Sequence, residues 1–131
     1  MNESTKVSDY MSKNLITLTP NMDIHRAVNT LLDNRISGAP VLDNRDELVG
    51  ILTKKDCIKV AFSASYHKER GGSVSKFMSS NVKTVSVDAN IVEVAERFLN
   101  YPYRSYPAMQ DDRLVGIIAR HDILRALERL W

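Results

Sequence analysis

The chain carries the same pattern twice. Val7-Ser8-Asp9-Tyr10-Met11-Ser12-Lys13-Asn14 returns as Val74-Ser75-Lys76-Phe77-Met78-Ser79-Ser80-Asn81, 67 positions later, and Pro40 returns at Pro107 with the same offset. Leu48-Val49-Gly50-Ile51 returns as Leu114-Val115-Gly116-Ile117, and Asp56 as Asp122, with an offset of 66. The second copy has therefore lost one residue from the loop between these blocks. In a chain of 131 residues such a repeat makes a tandem pair, not an array of short solenoid units. A pair gives a ligand a natural place, the cleft where the two copies meet.

By length this is one compact domain, able to bury roughly 65–70% of its unfolded surface. Each copy alone is marginal in size, so the two are expected to fold against each other. The first repeat is assigned to 1–66, and the linker with the second repeat to 67–131. Charge is balanced: residues 1–66 hold eight basic and eight acidic side chains, and residues 67–131 hold ten and eight. Nothing in that distribution makes a nucleic-acid footprint. The polar start, Met1 to Lys6, has no apolar core of a leader, and no stretch approaches 18 apolar residues. A cytoplasmic protein without membrane insertion is expected. The single cysteine, Cys57, excludes an intrachain disulfide and argues against a cysteine metal cluster.

Each copy spells the order β-α-β-β-α. Ile16-Thr17-Leu18 is a short β-like run ended by Thr19-Pro20. Ile24, Ala27, Val28, Leu31 and Leu32 fall on one face of a helix, with Asp23 as its N-cap. Ser37-Gly38-Ala39-Pro40 breaks that pattern. Pro40 to Leu42 and Leu48 to Leu52 then read as a hairpin around a polar loop. Thr53 opens a second helix, with Ile58, Ala61 and Phe62 on one face. In copy two, Ile91, Val94, Ala95, Phe98 and Leu99 repeat the helical offsets behind a capping-box pattern, Asn90 to Glu93. Ser105 to Met109 and Leu114 to Ile118 form the second hairpin. Ile123, Leu124, Leu127, Leu130 and Trp131 make the last helix apolar on one side. Ser63 to Ser73, with Gly71-Gly72, reads as the linker. The fold class is α/β (α+β), with helices on one side of each small sheet.

Four kinds of position can carry chemistry. The turns Ser37-Gly38-Ala39-Pro40 and Arg104-Ser105-Tyr106-Pro107 allow close backbone approach, or simply end a helix and start a strand. Thr53-Lys54-Lys55-Asp56 and Ala119-Arg120-His121-Asp122 follow strand glycines, Gly50 and Gly116, which often mark close approach. A hydroxyl and bases at a helix start suit a phosphate, and a carboxylate suits a ribose diol. The competing reading is a capping box. Two points weigh against it: Asp122 persists where Ala119 has no hydroxyl, and Asp reaches less far than the usual Glu. Third are the β-run hydroxyls Thr17 and Thr84. Fourth are His25, His67 and His121, read as solvated. No nucleophile elbow, zinc motif, EF-hand loop or P-loop occurs, so no catalytic residue and no required cofactor is expected.

The doubled order, the Ser-Gly-Ala-Pro turn, and Leu-Val-Gly-Ile followed by Thr-Lys-Lys-Asp resemble the CBS domain, named for cystathionine β-synthase. The resemblance runs from about Val7 to Leu130 as a tandem pair, or Bateman module, around a pseudo-twofold axis. It implies an adenosyl ligand (AMP, ADP, ATP or S-adenosylmethionine) between the copies, and a homodimer. It also implies roles. Asp56 and Asp122 would hold ribose hydroxyls. Thr53 would contact phosphate, near Lys54, Arg120 and His121. Ser37 to Pro40, Arg104 to Pro107, Thr17 and Thr84 would frame the base. Copy two departs from the pattern: Gly38 becomes Ser105, Ala39 becomes Tyr106 and Thr53 becomes Ala119. There, Tyr103 or Tyr106 either stacks on adenine or fills and closes the pocket. The leading expectation is a stand-alone regulatory sensor that signals to a separate partner. The alternative is a ligand-free interaction module acting through helical faces, and a small enzyme comes last.

Overall fold

A computed structural model describes residues 5–67 and 71–131. The chain packs into two compact units that are offset from the sequence repeats. One is Ile16–Val82; the other joins the segment ending at Leu15 to Lys83–Trp131.

In the first unit, α1 (Ile24–Asn34) starts where Asp23 accepts the Arg26 N–H at 3.3 Å. It ends at Arg35, which takes the left-handed conformation (φ 54°) more usual for glycine. Ile24, Ala27 and Leu31 point into the core, whereas Leu32, at the edge of the apolar stripe, is exposed. Strands β1 (Gly38–Leu42) and β2 (Leu48–Thr53) pair antiparallel, with Gly38 opposite Thr53 and an irregularity at Val41/Leu42. Asp43 closes their loop by accepting the N–H groups of Arg45 and Glu47, both at 2.9 Å. Helix α2 (Lys54–His67) follows, so the linker begins later than the expected Ser63. Its remaining part, 68–70, lies outside the described residues, as does the His67 side chain. A short helix, α3 (Val74–Phe77), completes the unit.

In the second unit, β3 (Val85–Ser86) runs parallel to β4 (Ser105–Gln110), which pairs antiparallel with β5 (Arg113–Ala119). Helix α4 (Ile91–Asn100) is capped by Asn90, whose side chain accepts the Val92 N–H at 2.8 Å. Helix α5 (Arg120–Leu130) closes the chain. Val94, Tyr106, Ala108, Ile118, Ile123 and Ala126 belong to its buried core.

The expected strand at Ile16 to Leu18 is reduced to one parallel bridge, Leu18 to Val41. The reason is Pro20. Its counterpart Val87 extends the β3 ladder by donating an N–H to the Met109 carbonyl at 3.1 Å. Proline has no N–H to give, so the copy-one ladder stops.

The repeated Val-Ser-x-x-Met-Ser motif explains the offset units. Val7 opens a 3-10 turn and Val74 opens α3, and both side chains are fully buried. Ser12 exchanges two backbone hydrogen bonds with Ile117 (2.8 and 3.0 Å), and Ser79 does the same with Ile51 (both 2.9 Å). Met11 lies on Gly116 and Met78 on Gly50, where an added Cβ would collide with the thioether. The lead-in of each repeat thus docks on the hairpin of the other repeat, and neither sequence copy is a folding unit by itself.

Candidate functional site

In the first unit the hairpin register brings the expected residues to one end of β1 and β2. Gly38 faces Thr53, and the Ser37 carbonyl accepts the Lys54 N–H at 2.9 Å. Thr17 precedes Leu18, whose N–H donates to the Pro40 carbonyl at 2.9 Å. Thr17 and Lys54 are exposed; Ser37, Gly38, Thr53 and Asp56 are half-buried; Ala39 and Pro40 are buried. The second unit repeats this gathering with Thr84, Arg104, Ser105, Ala119, Arg120, His121 and Asp122. Ser105 faces Ala119, and the Arg104 carbonyl accepts the Arg120 N–H at 3.3 Å. Arg104, Arg120 and His121 are exposed, and Pro107 is buried.

Both aspartates cap their helices. Asp56 Oδ2 accepts the Thr53 N–H and the Thr53 hydroxyl, each at 2.9 Å, while Thr53 Oγ1 accepts the Asp56 N–H at 3.2 Å. Asp122 Oδ2 accepts the Ala119 N–H at 2.8 Å. The two points against a capping box therefore fail. Aspartate does reach back to the cap, and its half of the box survives without a hydroxyl partner. Capping uses only one carboxylate oxygen, and an ionised carboxylate accepts about four hydrogen bonds. Among the described residues Asp56 Oδ1 has no protein partner, whereas Asp122 Oδ1 lies 3.7 Å from Arg125 Nη2.

Two other expected positions are filled by protein groups. Gly50 and Gly116 admit methionine rather than a ligand. Tyr106, expected to frame the base, is fully buried, edge-on to Phe98 (4.9 Å) and Tyr103 (5.7 Å). Arg97, which no sequence motif singled out, lies with its guanidinium 4.4 Å from the Tyr106 ring centre and donates to the Thr84 carbonyl at 3.0 Å. Its only sequence signal is that an arginine replaces Thr30 at the 67-residue offset. Burial pushes the Tyr106 phenol up, partly opposed by Arg97. Burial, then the Asp56 charge, pushes the Cys57 thiol up. Among the described residues no group of three or more His, Cys, Asp or Glu side chains could hold a metal, and no helix is long and apolar enough to cross a membrane.

The CBS domain family model matches residues 7–63 and 74–129, and the chain belongs to that family as a tandem CBS pair. The α+β fold agrees with solved CBS pairs. The CBS pair of protein MJ0100, in complex with 5'-methylthioadenosine and S-adenosylmethionine, superposes with a TM-score of 0.81 at 30% identity, over 98% of this chain and 100% of that one. CBSX2 of Arabidopsis thaliana, in complex with AMP, gives 0.84 at 24% identity over 97% and 98%, a likeness of fold. The uncharacterised protein MJ1225 of Methanocaldococcus jannaschii is 27% identical over 95% of this chain. The chain spans only 44% of that relative's length.

Proposed function

We propose that the chain is a regulatory module whose ligand is an adenosyl compound: AMP, ADP, ATP or S-adenosylmethionine. The observation that carries this is the open Oδ1 of Asp56, held by the Thr53 cap beside the Ser37–Gly38 turn. The adenosyl ligands of the MJ0100 pair support the choice of class. In this reading Asp56 accepts from the ribose diol, Thr53 and Lys54 face phosphate, and Thr17 with Ser37 to Pro40 frames the base. Asp122, Arg120, His121, Thr84 and Arg104 to Pro107 are the corresponding set in copy two. A separate protein receives the signal, and the chain works as a homodimer.

Exposed apolar residues on the helices favour the homodimer. Ile58, Phe62 and Tyr66 line one side of α2, with the Phe62 and Tyr66 rings stacked at 4.6 Å, and Trp131 is 92% exposed. Leu127, on the apolar side of α5, packs partly against its own core. A ligand-free interaction module would use the same exposed residues. A thermal-shift panel of the four adenosyl compounds separates the readings. At a hundredfold excess over Kd a ligand adds about 2.7 kcal/mol, on the order of 10 °C for a chain this size. A shift from at least one compound is expected. No shift from any of them at millimolar concentration leaves the interaction module.

A further inference from the structure

We infer that copy two is latched shut by Arg97 and that each chain takes one adenosyl ligand, at copy one; this rests on the adenosyl reading above. Thr84 and Tyr106 are the copy-two positions that would frame a base, and Arg97 engages both. Its guanidinium covers the Tyr106 ring at 4.4 Å, and its Nη1 donates to the Thr84 carbonyl at 3.0 Å. Phe98 and Tyr103 meet the same ring edge-on. A purine there would have to displace a partly buried cation–π contact and a charge-assisted hydrogen bond made by one side chain.

Copy one has no such latch. The 67-residue offset places Thr30 where copy two has Arg97, and Ala39 where it has Tyr106. Thr30 turns its hydroxyl back to the Arg26 carbonyl at 2.9 Å, within α1. Ala39 contributes only a methyl to the core. The carboxylates differ in the same direction, since Asp122 Oδ1 faces Arg125 and, among the described residues, Asp56 Oδ1 faces no cation. Arg104, Arg120 and His121 make copy two the more basic end, which favours phosphate there. That attraction acts from exposed side chains in high dielectric, whereas the latch is partly buried.

The test is calorimetric stoichiometry on the full chain with AMP and S-adenosylmethionine. Wild type should bind one ligand per chain. Asp56→Asn should weaken that binding about tenfold or more. Arg97→Thr, which installs the copy-one residue without emptying the core, should raise the stoichiometry to two. Circular dichroism checks that each variant is folded. Two ligands on wild type, or a single ligand whose affinity Asp56→Asn leaves unchanged, would overturn the inference while keeping the adenosyl reading. A folded Arg97→Thr chain that still binds one ligand overturns Arg97 as the latch. Wild type that binds neither compound overturns both.

Discussion

Gly50→Ala tests whether the strand glycine of copy one makes room for the Met78 thioether or for a ligand. All three atoms nearest an added Cβ at Gly50 belong to Met78: Sδ, Cγ at 2.9 Å and Cε at 3.1 Å. Ordinary contact begins near 3.4 Å, so the thioether must move off β2. Overpacking of this kind costs about 1–3 kcal/mol. Alanine recovers about 0.4–1 kcal/mol by restricting the unfolded chain. The net loss should be about 1–2 kcal/mol, a fall of roughly 4–8 °C at the unfolding entropy of a chain this long. The assay is a double-mutant cycle with Met78→Ala, read by thermal and urea unfolding. Truncating Met78 removes the collision, so Gly50→Ala should become neutral or stabilising in that background. The coupling should be about 1 kcal/mol or more. Additivity within about 0.5 kcal/mol would refute Met78 as the occupant of that glycine. If Gly50→Ala left stability intact and weakened nucleotide binding, the glycine would belong to the ligand after all.

Tyr106→Phe should raise the melting temperature by about 3–4 °C, because the buried Tyr106 hydroxyl has no hydrogen-bond partner within bonding geometry among the described residues, and with Arg97 beside it the penalty falls at the low end, about 1 kcal/mol, of that for an unsatisfied buried group; a lowered melting temperature would mean that the hydroxyl is bonded. The raised Cys57 thiol should protect the native state only while it stays protonated. That part of stability is complete below the unfolded thiol value near pH 8.5 and is lost as pH rises through the higher folded value. Cys57→Ser should therefore flatten the decline of urea stability between about pH 8 and 10, and an equal decline in both proteins would remove Cys57 as its cause. Sedimentation equilibrium should show a dimer at tens of micromolar, weakened by Phe62→Lys, where a hydrophobic anchor becomes a buried charge; a monomeric wild type ends the homodimer proposal.

The helices were legible because their periods are long and their caps chemical. Asp23 and Asn90 sit where the pattern puts them, and both hairpins follow the Pro and Gly punctuation. The short strand at Leu18 was not legible as a bridge, since only the comparison of Pro20 with Val87 shows which N–H is missing. The opening repeat was visible at once, but its partner was not. Nothing local in Met11 or Met78 says that it covers a glycine of the other repeat. For the candidate site, the gathering of Thr17, Ser37 to Pro40 and Thr53 to Asp56 follows from order and register. The state of its groups does not. Whether Asp56 reaches its cap, and whether Arg97 lies on Tyr106, are matters of side-chain direction that spacing leaves open.

Asp56→Asn separates the ligand-holding oxygen of Asp56, the one its cap leaves free, from the capping oxygen. Asparagine keeps an oxygen to accept the Thr53 N–H and is itself a good cap, so stability should change by no more than a few tenths of a kcal/mol to about 1 kcal/mol. The free carboxylate oxygen becomes an NH₂ group, which cannot accept from a ribose hydroxyl. A lost charge-assisted hydrogen bond is worth about 1.5–3 kcal/mol, or roughly 10- to 150-fold in Kd. Calorimetric titration of AMP and S-adenosylmethionine into wild type and variant, with melting curves alongside, reads both quantities. Affinity should fall about tenfold or more at nearly unchanged melting temperature. Unchanged affinity with a lowered melting temperature would make Asp56 a helix cap and nothing more.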